Sequence, residues 1–193
     1  MHETLIKYIK QYVPITASDI ALIEEAFTYR KMEKGELLLK NEEICRHQNF
    51  VLKGFMKTYH VSPTGNEHCI LLVPAEKWVA DLNSYLNQAP STVIIKAITN
   101  TEVLQLSKPS FDCILDKSPS LERFFRKMYQ DALCAHHKKI IDTLTLPAKA
   151  RYINFMKIHP DIVQFVPLKD IASYLGMTPE YLSSLRRQNI KKR

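Results

Sequence analysis

Six residues near the C-terminal end, Glu180, Tyr181, Ser183, Ser184, Arg186 and Arg187, bring several kinds of polar group into one short run. A carboxylate, hydroxyls and guanidinium groups in one short run are the donors and acceptors that read base edges and grip phosphates. Glu180 can accept from a cytosine amino group, and Arg187 can serve guanine or a phosphate. Ser183, Ser184 and Tyr181 can make weaker base or phosphate contacts, while Lys169 and Arg186 suit phosphate anchoring. Plain surface exposure is the competing reading for each of them.

The residues around them supply a frame. In Pro167–Arg187 the small Ala172 suits a close helix crossing, and Gly176 four residues later suits a turn needing positive φ. Ile171, Leu175, Met177, Leu182 and Leu185 fall where two helices pack together. Thr178 can cap the second helix, and Pro179 then occupies its first turn, where a missing N–H costs nothing. The pattern predicts a helix-turn-helix that lays its second helix in the DNA major groove. An ordinary helical hairpin in a globular core is the alternative.

Charge supports the first reading. The chain of 193 residues carries a formal net charge of +7. Residues 138–193 hold 11 Lys and Arg against four Asp and Glu, so the whole excess lies there. Such asymmetry marks a polyanion partner, although Lys191, Lys192 and Arg193 alone make a basic tail. A 46% apolar fraction supports a packed core and argues against disorder. No apolar run approaches the roughly 20 residues that span a bilayer, so no membrane partner is expected. The first ten residues lack the apolar stretch of a secretory signal, which makes a cytoplasmic protein the default.

Other chemistry is thinner. Gly54 is followed by His60 at the spacing of a cupin-like metal site, but Ser62 stands where the second histidine belongs, and Glu67 lies across a Pro-Gly turn. His136 and His137 are adjacent on a predicted helix and point about 100° apart. Cys45, Cys69, Cys113 and Cys134 are scattered, with no Cys-x-x-Cys, so reduced and mostly buried thiols are expected. A metal enzyme is therefore a minor alternative, and the expectation is a protein without catalytic activity.

The positioning elements follow from periodicity. Leu5, Ile6, Ile9 and Val13 make one helical stripe, and Ser18 is the expected cap of a second helix carrying Ile20, Ile23 and Phe27. From Lys34-Gly35-Glu36 to Leu106 the chain offers short β-runs: 36–39, 50–52, 55–61, 69–73, 93–98 and 102–106. Turn residues 62–66 separate two of them, and the spacing suggests an antiparallel sandwich, barrel or roll. Ser107 caps a short helix through Leu115. Ser118-Pro119 then opens a long one to about Leu144, a rod of roughly 39 Å. Leu121, Phe125, Met128, Ala132 and Ala135 step by four and three along it. That spacing suits either a coiled-coil seam between two copies or a single helix lying on its own sheet. Pro147 opens a further helix through about Met156, and 162–166 leads into the helix-turn-helix.

Helices, β-roll, long helix and helix-turn-helix in this order resemble the Crp/Fnr family of transcription regulators. The resemblance rests on Lys34-Gly35-Glu36, Leu52-Lys53-Gly54, Gly65-Asn66-Glu67, Trp78-Val-Ala-Asp-Leu82 and Ile171-Ala-Ser-Tyr-Leu-Gly176. It implies an α+β fold: N-terminal helices and an antiparallel, jelly-roll-like β-roll, a long dimerisation helix and a C-terminal helix-turn-helix domain. The implied domains are 1–117 for the cyclic-nucleotide-binding-like effector domain (β-roll about 34–106), 118–145 for the connecting helix and 146–193 for DNA binding. The implied partners are double-stranded DNA read as a near-palindrome, a second copy through 118–145, RNA polymerase and a small effector.

Departures from the family shape the expectations. Ala80-Asp81 stands where nucleotide binders carry Gly-Glu, and Pro90 with Ser91-Thr92 stands where they carry an Arg and a small hydroxyl residue. Without that Arg the cyclic phosphate loses its bidentate partner, so cyclic AMP is not expected as a tight ligand. Asp81, Ser91 and Thr92 remain candidates for polar effector contacts. The four cysteines do not reproduce the cluster of the family's oxygen sensors, so no iron–sulfur cluster or other cofactor is expected. In the reader helix Glu180 matches the family, whereas Pro179 and Ser184 occupy positions where relatives carry Arg. An effector-sensing or protein-interaction module with weakened DNA binding is therefore the competing function.

Overall fold

The computed structural model describes residues 1–160 and 162–190, the last three of these by backbone alone. Lys191, Lys192 and Arg193 of the basic tail, and Asp161, lie outside the described residues. Two helices, α1 (Glu3–Lys10) and α2 (Ala17–Ala26), precede eight strands: β1 (Phe27–Met32), β2 (Leu37–Leu39), β3 (His47–Lys53), β4 (Phe55–Val61), β5 (Glu67–Pro74), β6 (Trp78–Val79), β7 (Ile94–Ala97) and β8 (Thr101–Ser107). A short helix α3 (Leu82–Asn87) interrupts them after β6. Helices α4 (Lys108–Lys117), α5 (Pro119–Thr145), α6 (Ala148–Ile158), α7 (Ile162–Phe165), α8 (Leu168–Tyr174) and α9 (Pro179–Ile190) complete the order. None of the described helices is long and apolar enough to cross a membrane.

The strands form two antiparallel sheets, ordered β1-β8-β3-β6 and β2-β7-β4-β5, which is the β-roll expected from the sequence. Gly54 makes the β3–β4 turn possible. Its φ is +93°, and an added Cβ would stand 2.5 Å from the Asn100 carbonyl oxygen. Aromatic rings fill the space between the roll and α5. Trp78 lies 5.4 Å from Phe50 and 5.6 Å from Phe125, and Phe124 and Phe125 are 5.0 Å apart.

Several local expectations shift. Phe27 does not end the second helix but opens β1, where it pairs with Leu106. Thr16, not Ser18, caps α2. Its hydroxyl accepts from the Asp19 amide while Asp19 accepts from the Thr16 amide, a reciprocal arrangement that satisfies two otherwise orphaned donors. Ser107 and Ser118 cap α4 and α5 as their positions predicted. The stripe of α5 divides: Leu121, Phe125 and Met128 are buried in the protomer's own core and cannot meet a second copy. The first half of the rod is thus the helix lying on its own sheet. Its second half instead exposes Leu133, Ile140, Ile141 and Leu144. Only Cys45 and Cys69 are buried, whereas Cys113 and Cys134 are exposed on α4 and α5, so the thiols are not mostly buried.

A second core lies beneath the C-terminal helices. Tyr152, Phe155, Ile162, Val166, Ile171, Ala172, Leu175, Leu182 and Leu185 are buried there together with Ile98 from the roll, and Phe55 and Leu72 pack against them. The helical part therefore shares its core with β4 and β5.

Candidate nucleic-acid interface

Helices α8 and α9 form the helix-turn-helix, joined by Leu175-Gly176-Met177-Thr178. The turn is set by backbone chemistry. The Met177 N–H donates to Ala172 O at 3.0 Å and the Gly176 N–H to Ser173 O at 3.1 Å, which satisfies carbonyls left open by the end of α8. Gly176 has φ +65°, and an added Cβ would meet only Arg151 Nη2, at 3.9 Å, an ordinary contact. Its requirement is therefore conformational rather than steric. Thr178 caps α9, its hydroxyl accepting from the Tyr181 amide at 3.2 Å.

Leu182 and Leu185 turn inward, which leaves the opposite face of α9 outward. Thr178, Glu180, Tyr181 and Arg187 are exposed, and Ser183, Ser184 and Arg186 are half-buried. Residues 180, 184 and 187 are spaced by four and three, which places Glu180, Ser184 and Arg187 on one face. Lys169 is exposed on the preceding helix, α8.

Two residues that sequence reasoning missed hold this unit in place. Arg151 of α6 donates to Thr143 O and Leu146 O at 3.2 and 2.8 Å, and to Leu175 O and Gly176 O at 3.1 and 3.3 Å. One guanidinium thus ties the end of α5 to the turn of the helix-turn-helix. Lys57 of β4 is buried, with its Nζ 2.8 Å from both Asp170 Oδ1 and Glu67 Oε2. Burial would lower the Lys57 pKa, but the hydrogen bonds to Asp170 and Glu67 outweigh it and hold the ammonium above its ordinary range. The Lys57 hydrogen bond holds the Glu67 carboxyl below its own range. Ser173 Oγ accepts from the Cys69 amide at 2.8 Å, and Phe165 stacks on Phe55 at 5.1 Å. Of the basic residues counted from 138 onward, Arg151 is thus structural, and Lys138 pairs with Asp142 at 3.2 Å.

The segment after Trp78 closes on itself. Asp81 Oδ1 accepts from the Ser84 amide at 3.1 Å and so caps α3, and Asp81 Oδ2 accepts from Ser91 Oγ at 2.7 Å. Ser91 is buried, and its backbone bonds Glu42 and Glu43 across the Ile44–Pro90 bridge. Folding brings Asp81 and Ser91 together, each spent on the other, while the exposed Thr92 meets His60 Nδ1 only through its carbonyl, at 2.8 Å. Among the described residues no group of three or more His, Cys, Asp or Glu side chains is placed to hold a metal ion.

A sequence model described as the cyclic nucleotide-binding domain matches residues 29–118. No curated protein matches the chain in sequence. Among solved structures, FixK2 from Bradyrhizobium japonicum is similar with a TM-score of 0.74 at 18% identity, over 86% of this chain and 85% of that one. CLP of Xanthomonas campestris, a c-di-GMP responsive global regulator, gives 0.69 at 12% identity over 92% and 93%. The catabolite activator protein of Thermus thermophilus gives 0.58 at 15% identity over 92% and 85%. Likeness over most of both chains thus shows the Crp/Fnr-type fold: a cyclic-nucleotide-binding-like domain followed by C-terminal helices.

Proposed function

We propose that this protein is a DNA-binding transcription regulator without catalytic activity, working as a homodimer on a near-palindromic site. The observation that carries the reading is the outward face of α9, where Glu180, Ser184 and Arg187 align on a helix whose turn and cap are locked by their own hydrogen bonds. An aligned polar face on a rigid helix is what a groove reader needs. Lys169 and Arg186 flank it as phosphate anchors, and Thr178, Tyr181 and Ser183 add polar contacts.

Dimerisation belongs to the second half of α5. Leu133, His137, Ile140 and Leu144 step by four, three and four, and Leu144 is 81% exposed. A protein in water covers such a stripe, and a second copy of the same helix fits it by symmetry. Two readers held this way meet half-sites about 34 Å apart. In this reading the domains divide at 1–117, 118–145 and 146–193. A small effector on the roll side sets the tilt of the long helix, and the regulated partner is RNA polymerase in the cytoplasm.

Selection of bound sequences from a random duplex library, followed by anisotropy on the selected duplex at several salt concentrations, tests the reading. Saturable binding to a palindrome that weakens steeply with salt is expected. No DNA affinity at low salt would favour the competing function, an interaction module that has lost DNA binding.

A further inference from the structure

A groove of about 380 Å³ lies between α1, the β5–β6 segment and the middle of α5. Four aromatic rings stand in its walls among aliphatic side chains: Tyr8 of α1, Tyr12 just beyond it, Trp78 of β6 and Tyr174 of α8. Lys139 enters from α5, and the exposed Lys77 stands at the rim beside β6. One acidic residue, Asp131, also lines the groove and is exposed. The Trp78 indole N–H is buried and has no hydrogen-bond partner among the described residues.

Lys139 is the unusual member. Its ammonium lies 3.7 Å from the centre of the Tyr174 ring and donates to Ile70 O at 2.6 Å. Among the described residues no carboxylate lies within ion-pair distance of it. Burial pushes its pKa down to about 8. Lys139 and Tyr174 also line a second cavity of about 250 Å³, which Arg151 and Phe155 share. A half-buried cation without a counter-ion is completed by an anion, and aromatic rings in the lining favour a flat ring packed against them. The volume is that of a small-molecule site.

We propose that this groove binds a small planar aromatic carboxylate, its ring against Trp78 and Tyr8 and its carboxylate on Lys139. The site is separate from the closed Asp81–Ser91 segment, and neither residue lines it. Its walls come from the roll, the long helix and, through Tyr174, the first helix of the DNA reader. A molecule seated there touches all three units and biases their relative arrangement. Binding itself stands independently of the proposed regulator role; only the name effector rests on that role.

Calorimetry with 2-naphthoate, and with 2-naphthylmethanol as its uncharged counterpart, tests the site on the whole protein without DNA. Trp78 is the only tryptophan of the chain, so its fluorescence reports the same titration. Saturable binding of one 2-naphthoate per chain with a change in Trp78 emission is expected. Lys139→Met should weaken 2-naphthoate roughly tenfold or more and leave the alcohol unchanged, and Lys139→Arg should keep the acid bound. Melting curves establish that each variant is folded. Absence of saturable binding to the folded wild-type protein overturns the proposal, as does equal affinity for acid and alcohol or an unchanged affinity in folded Lys139→Met. Loss of DNA binding in a separate measurement would leave the result standing.

Discussion

Lys57 Nζ and Asp170 Oδ1 are 2.8 Å apart although 113 residues separate them in the chain, and both side chains are buried. The pair joins β4 of the roll to α8, the first helix of the helix-turn-helix. Glu67, half in solvent, holds the same ammonium from the neighbouring strand. Substituting Lys57→Met strands a buried carboxylate and should cost about 3 kcal/mol of stability. Asp170→Ala should cost less, because Lys57 keeps Glu67. Urea melts of the two variants check the order.

The same network sets an acid limit. The Glu67 carboxyl sits below its ordinary value of 4.5 in the folded protein because Lys57 bonds its charged form. A depressed carboxyl stabilises the fold above its unfolded value and loses that contribution as pH falls through the folded one. The stability gap between wild type and Lys57→Met should therefore narrow as pH drops below about 4.5. Melts from neutral pH down to acid, run in parallel, read this directly.

Lys139 predicts the opposite end of the scale. Burial lowers its pKa from 10.5 to about 8, so between those values the unfolded chain holds a proton that the folded one has released. Its destabilising effect is present in full below pH 8 and is relieved as pH rises toward 10.5. Dimethylation with ¹³C-formaldehyde should give one lysine methyl signal titrating near 8, absent in Lys139→Met.

On DNA, Arg187→Ala should weaken specific binding by about 1–3 kcal/mol and relax preference at one base position. Lys169→Ala should weaken all sequences alike and reduce the salt slope by about 1. Anisotropy against the selected duplex and a scrambled one separates the two. An unchanged affinity for Arg187→Ala at matched salt would remove that residue from the reader face.

Leu144→Asp should dissociate the proposed dimer while leaving each protomer folded, since Leu144 belongs to neither buried core. Loss of one buried leucine on each side removes about 1.5–3 kcal/mol apiece from association. Sedimentation velocity at micromolar protein should then show monomer, with unchanged circular dichroism.

Local backbone chemistry was legible in the sequence. Ser118-Pro119 opens α5 and Thr178-Pro179 opens α9, because a hydroxyl cap followed by proline satisfies a helix start wherever it occurs. Gly176 was legible because a turn that needs positive φ selects glycine. The surface that a stripe meets was not: Leu121, Phe125 and Met128 have seam spacing, yet they face the protomer's own roll. Periodicity specifies which residues share a face, not what covers it. Phe27 shows a related ambiguity, an apolar residue that continues a helical stripe equally well as it begins a strand. Long-range pairs such as Lys57–Asp170, and Arg151 spread over four carbonyls, leave no local signature because their partners are set by topology alone.

The shared second core limits how this molecule can be taken apart. Phe55, Leu72 and Ile98 form a wall on which the C-terminal helices rest. A fragment expressed from Pro147 onward would present raw hydrocarbon to water and should clump, and the amputated roll would carry the matching sticky face. Chimeras that graft these helices onto another roll will need the three wall residues transplanted with them.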